Sequence, residues 1–150
     1  SWRHAMEWYK QTYGHLPGAM ISVPATSPLR SIEDIESCIK KFNESEVDVV
    51  ISVTEARRNP YFNMVLQSEN GLVSLVSKPS RAIYRRQDAP VVYDMATVAY
   101  VVRPEFIEKA ESIFEGRVTA ITIPVERSID IDTWLDFEFA EFLFLKRTVF

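Results

Sequence analysis

Apolar residues recur along the start of the chain at helical intervals. Trp2, Ala5, Met6, Tyr9 and Tyr13 fall on one side of a helix, and Gly14 is its natural stop. Residues 19–23 form a short apolar run between Pro17 and Pro24, which predicts a buried strand. Pro24 and Pro28 deny the following stretch both helix and central strand, so it reads as a loop. Ser31 then caps a helix, with Asp34 at its third position, and Ile35, Cys38, Ile39 and Phe42 supply the buried face. Residues 48–53 read as a second buried strand. Strand, helix and strand with short connections predict a βαβ unit in a parallel sheet.

The pattern changes after Glu55. Residues 63–67 and 72–76 flank Asn70-Gly71, a hairpin signal. Residues 78–88 are basic and irregular, and 91–102 form a long β-type stretch. The middle third, about 55–98, therefore reads as an insertion into an α/β domain. Pro104 opens a further helix whose apolar face is Phe106, Ile107, Ala110, Ile113 and Phe114, with Gly116 as its stop. Residues 118–123 form another strand. Thr133 caps a last helix, with Asp136 three residues on. Its phenylalanines at 137, 139, 142 and 144 exceed one stripe and predict burial on more than one side.

At 150 residues the chain has the size of one domain, and 47% hydrophobic residues with 25% charged exclude a disordered chain. No apolar run is long enough to span a bilayer, so no membrane partner is expected. A net charge of −4 argues against nucleic acid as a partner. Cys38 is the only cysteine, which excludes an intrachain disulfide and points to a reducing, cytoplasmic setting. The chain opens at Ser1 inside a helical pattern, so a preceding segment is expected.

Three groups of residues could carry chemistry. In Ser128-Ile129-Asp130-Ile131-Asp132-Thr133 the acids alternate with isoleucines. On an extended segment both carboxylates project to one side, with Ile129 and Ile131 anchored in the core. Paired hard oxygens suit Mg²⁺, especially where phosphates complete its shell; the plainer reading is a helix cap beside a solvated acid. Lys78, Arg81, Arg85 and Arg86 cluster in an acidic chain; a solvated surface is the first reading, and pairing with acidic neighbours or an anionic ligand are the alternatives. Thr26, Ser27 and Arg30 follow a strand, where ligand crevices form in parallel sheets, although the hydroxyls also suit turn backbone.

The segments PATSPLRSIEDIESCI, VISVTEARRNPYFNMV, RRQDAPVVYDMATVAYV and ERSIDIDTWLDFEFAEFL occur in that order and together resemble the CMP-sialic acid synthetases, the cytidylyltransferases of nonulosonic acids. The resemblance implies a doubly wound, Rossmann-like nucleotidyltransferase (GT-A-like) sheet. It also implies an inserted β-rich arm, near 55–98, that pairs two subunits in a homodimer. Members of the family open with a basic, glycine-containing loop for the CTP phosphates, and this chain resembles the C-terminal two-thirds that follow. The implied reaction is attack of a sugar's anomeric hydroxyl on the α-phosphorus of CTP, giving a CMP-sugar and pyrophosphate. By the same resemblance Asp132 and Asp130 are the catalytic, Mg²⁺-binding acids. Arg86 pairs with the sugar carboxylate, Gln87 stands beside it, and Thr26, Ser27, Arg30 and Tyr100 border the sugar. Ile113 and Phe114 take the place of an aromatic pair that packs on the acyl group.

Two departures bear on the substrate. Pro24 stands where the family often has a substrate-touching glutamine, and Asp94 stands where a second sugar-site arginine is common, with Ala96 in the segment after it. A carboxylate in place of a cation weakens binding of an anion. This predicts a relative of N-acetylneuraminic acid as the substrate, such as legionaminic acid, a deaminated sialic acid or an eight-carbon ulosonic acid. The alternatives are a noncatalytic dimerisation or regulatory module, and a cytidylyltransferase for a 3-deoxy-octulosonate-type sugar. The chain alone is expected to be inactive.

Overall fold

The computed structural model describes residues 2–79 and 82–148. In chain order its main elements are α1 (Trp2–Tyr13), β1 (Met20–Ser22), α2 (Ile32–Asn43), β2 (Val49–Glu55), β3 (Val65–Gln67) and β4 (Val73–Leu75). They continue with β5 (Tyr93–Val102), α3 (Pro104–Lys109), β6 (Val118–Thr122) and α4 (Trp134–Thr148). The chain divides into two compact units, one being Glu55–Asp94 and the other the segments on either side of it.

The larger unit is built on a four-stranded sheet in the order β1-β5-β2-β6. β2 and β6 run parallel, Val49 opposite Val118 and Val53 opposite Thr122. β1 and β5 run antiparallel, Met20 opposite Val102 and Ser22 opposite Tyr100. β5 is antiparallel to β2 as well: Arg103 N donates to Asp48 O at 2.8 Å, while further along β2 Ser52 Oγ reaches Ala96 O at 2.7 Å. The sheet is therefore mixed, not parallel as the βαβ pattern predicts. β1, β2 and β6 share one direction, but β5 lies between β1 and β2. A strand entering from the end where β2 leaves needs no crossover helix to pair antiparallel.

Alternation along β2 divides the core between two faces. Val49, Ile51 and Val53 join Tyr100, Val102, Met6 of α1 and Ile107 of α3. Val50 faces the other way, with Ala99, Val101 and the α2 residues Cys38 and Phe42. Helices thus cover both faces, the layering expected of a doubly wound domain.

Three local expectations change. β1 buries Met20 but leaves Ile21 exposed, because it has a single strand neighbour among the described residues. α3 stops at Lys109, short of Phe114, and Ser112 Oγ accepts from Phe114 N to start a separate 3-10 turn, Ile113–Glu115. α4 buries Ala140, yet Trp134, Leu135, Phe139, Phe142 and Leu145 stand exposed rather than enclosed on several sides.

In the smaller unit β3 and β4 form the expected hairpin, Val65 opposite Leu75, turned by Gly71 at φ +82°. Asn59 Nδ2 donates to Pro90 O at 2.8 Å and ties the unit's two ends together. Residues 95–98, read with the insertion, run in β5 of the sheet.

Candidate active site at the strand ends

Because β1, β2 and β6 point one way, the loops after β1 and β6 emerge at the same end of the sheet. Ligands of open α/β sheets bind at such carboxyl ends. The two loops are joined directly, Ile131 N donating to Thr26 O at 2.9 Å.

The first loop is held from within. Ser27 is fully buried, and its Oγ lies 2.6 Å from Thr97 Oγ1 on β5. Leu29 is buried too, while Thr26 is exposed. Ser27 thus supports the loop, and Thr26 is the residue it presents. Arg30 donates through Nη2 to Pro24 O, and its Nε is buried with no partner. Burial lowers the Arg30 pKa, although a guanidinium stays charged at ordinary pH.

The second loop leaves β6 through buried Ile123, whose N–H donates to Val53 O at 2.7 Å. A 3-10 turn, Val125–Arg127, follows. Arg127 grips Asp34 of α2 with both arms, Nε to Oδ2 at 2.9 Å and Nη2 to Oδ1 at 2.8 Å. Asp34 also accepts from Ser31 N at 2.9 Å. Burial alone would raise the Asp34 carboxyl, but the bonds from Arg127 and Ser31 outweigh it and hold it below the usual range. Residues 129–131 are irregular and half-buried instead of a strand. Asp130 keeps one oxygen, Oδ1, buried with no hydrogen-bond partner, whereas Asp132 is exposed at the bend before α4. The paired acids therefore sit in different surroundings. At the helix start Asp136 accepts from Thr133 N at 2.8 Å and Thr133 Oγ1 at 2.7 Å, so the cap is made by Thr133 with Asp136.

Tyr100 lies in the core, edge-on to Trp2 with ring centroids 5.3 Å apart. Burial raises its phenol pKa, and the charge of Asp130 adds to the effect. Ile113 and Phe114 are not brought to this place. They precede β6, at the opposite end of the sheet, where Ile113 borders a cavity of about 510 Å³ between α1 and α3 and Phe114 is exposed. In the smaller unit Arg86 and Gln87 line a cavity of about 330 Å³ with Glu55, and Arg86 Nη2 donates to Ala56 O at 3.1 Å. Arg81 lies outside the described residues.

No family model matches the chain. Curated proteins do. Post-translational flagellin modification protein B of Campylobacter coli is 34% identical over 131 residues, 87% of this chain and 54% of that protein. CMP-N,N'-diacetyllegionaminic acid synthase of Campylobacter jejuni is 35% identical over 63% of this chain and 39% of its own length. An N-acylneuraminate cytidylyltransferase of Streptococcus agalactiae is 28% identical over 78% of this chain and 28% of that protein. By sequence, the chain is similar to CMP-sialic acid synthetase-like proteins. It spans about half the length of the first of these relatives, and less of the other two. The fold agrees. 4-Diphosphocytidyl-2C-methyl-D-erythritol synthase of Anaerococcus prevotii superposes with a TM-score of 0.63 over 95% of this chain and 66% of its own, at 14% identity.

Among the described residues no group of three or more His, Cys, Asp and Glu side chains could hold an ion. Mg²⁺ does not require one, because it is commonly bound by one or two carboxylates with substrate phosphates and water. The unpartnered Oδ1 of Asp130 and the open carboxylate of Asp132 fit that mode. Sequence reading missed the Asp34–Arg127 pair. Asp34 looked like a cap alone, and Arg127, directly before the acidic segment, was the one available signal. Among the described residues no helix is long and apolar enough to cross a membrane.

Proposed function

We propose that the protein containing this chain transfers CMP from CTP to a nonulosonic acid and releases pyrophosphate, working in the cytoplasm as a homodimer. The observation that carries the reading is the buried, unpartnered Oδ1 of Asp130 at the carboxyl ends of the parallel strands, in a chain similar to CMP-sialic acid synthetase-like proteins. A buried carboxylate oxygen without a donor costs free energy unless a cation or ligand occupies its vicinity.

On this reading Asp130 and Asp132 hold Mg²⁺, which when bound offsets phosphate charge as pyrophosphate leaves. Thr26 orients the sugar beside them. The unpaired Nε of Arg30 is a fixed donor for an anionic group. Within the smaller unit, Arg86 and Gln87 line a cavity whose donors suit a carboxylate. Catalysis is then mainly alignment and charge stabilisation in a preorganised site. With an acid at position 94 and Pro24 in the loop, the favoured substrate is a legionaminic-type acid; one curated relative carries that substrate in its name.

The test is pyrophosphate release by the protein expressed from its complete reading frame, with CTP and Mg²⁺. N-acetylneuraminic, deaminated neuraminic, legionaminic and 3-deoxy-octulosonic acids form the substrate panel. Release with a legionaminic acid, abolished by Asp130→Asn in folded protein, is the expected result. Folded protein inert toward the whole panel would point to the noncatalytic module instead.

A further inference from the structure

Asp130 sits on a short irregular stretch held at both ends. On one side, Arg127 is locked to Asp34 by two bonds of 2.8 and 2.9 Å, and Asp34 is only 4% exposed. On the other, Ile131 N is bonded to Thr26 O. Asp34 is in turn fixed to the start of α2 through Ser31 N. Its two oxygens are thus occupied by three donors, so it is not itself free to ligate anything. A guanidinium fork on a carboxylate fixes distance and plane together. Ser128 closes the preceding turn through its N–H and Oγ on Val125 O, and beyond it residues 129 and 130 run without regular structure between these two attachments.

We propose that Asp34 and Arg127 are positioning residues that hold the Asp130 carboxylate at the divalent-cation site. The inference rests on the metal reading above. Partners one step removed from metal ligands orient them, and their loss typically weakens metal affinity or activity by about 10–100-fold. Arg127→Met removes the fork, Arg127→Lys keeps the charge but not the two-armed geometry, and Asp34→Asn keeps an oxygen for Ser31 N while losing the charge.

The experiment measures Mn²⁺ binding to the full-length protein with CTP absent and with CTP present, against a CTP-only blank, by electron paramagnetic resonance of the free ion, alongside a urea melt. Expected is a Kd raised about 10–100-fold by Arg127→Met and Asp34→Asn, with Arg127→Lys in between. Half-saturating Mg²⁺ in pyrophosphate release should rise in parallel. A merely structural pair would move the melt and leave the Kd of folded protein alone. Should Arg127→Met fail to fold, the other two variants decide. Folded variants that bind Mn²⁺ like wild type, while Asp130→Asn does not bind, overturn the positioning role only. Absence of Mn²⁺ binding by wild type with and without CTP, or binding that Asp130→Asn leaves intact, removes the metal reading and this proposal together.

Discussion

The Ser27–Thr97 contact allows a quantitative test of how the candidate site is held. The two hydroxyls are 2.6 Å apart, Ser27 is fully buried, and Thr97 is half-buried. Thr97→Val keeps the shape but strands the Ser27 hydroxyl where water does not reach it, which costs about 1–3 kcal/mol. Ser27→Ala leaves the Thr97 hydroxyl unpaired at a position nearer to solvent, so about 1 kcal/mol is expected. The double variant removes both polar groups at once. It should lie close to wild type, so the coupling approaches the sum of the two single costs, about 2–4 kcal/mol. Urea unfolding of the full-length protein reads this directly, as shifts in midpoint at constant m. Additive single-variant effects, or a Thr97→Val variant within about 0.5 kcal/mol of wild type, would refute the reasoning.

Three further outcomes follow from the geometry. Asp34 titrates below its unfolded value, so its contribution is complete above the ordinary carboxylate pKa and disappears as pH falls through the depressed one. Stability should therefore drop more steeply below about pH 4 in wild type than in Asp34→Asn, and parallel acid melts would refute this. Cys38 is fully buried, and burial, assisted by the Asp34 charge, pushes its thiol up to about 11; native protein should resist disulfide-exchange reagents at pH 8 until unfolded. A Cβ on Gly116 would come within 2.6 Å of the Phe106 ring and 3.0 Å of Asp48 Cβ, so Gly116→Ala should cost about 1–3 kcal/mol in a urea melt.

What the sequence made legible was local. The Thr133–Asp136 cap, the Gly14 stop and the Asn70-Gly71 hairpin each depend on residues a few positions apart, and each forms as read. Chemistry that depends on distant partners was not legible. Asp34 and Arg127 are separated by 93 positions, and Ser27 and Thr97 by 70, so no spacing rule joins them. The direction of β5 was hidden for a related reason. A continuous apolar strand looks the same from either end, so its pattern carries no direction. The acids at 130 and 132 were visible as a pair, but their unequal burial comes from the Arg127 attachment and the bend before α4.

Ser52 has a consequence for how the sheet assembles. Its hydroxyl, fully buried in the middle of an apolar strand, donates to Ala96 O and accepts from Ala99 N. Ile51 and Val53 on either side would tolerate several alignments with β5, being apolar like the side chains they meet. The serine would not: slipping the register by one residue turns it to the opposite face and removes both partners. It acts as an error check on a pairing between residues 44 to 47 positions apart, penalising misaligned encounters in a step that loop closure already makes slow.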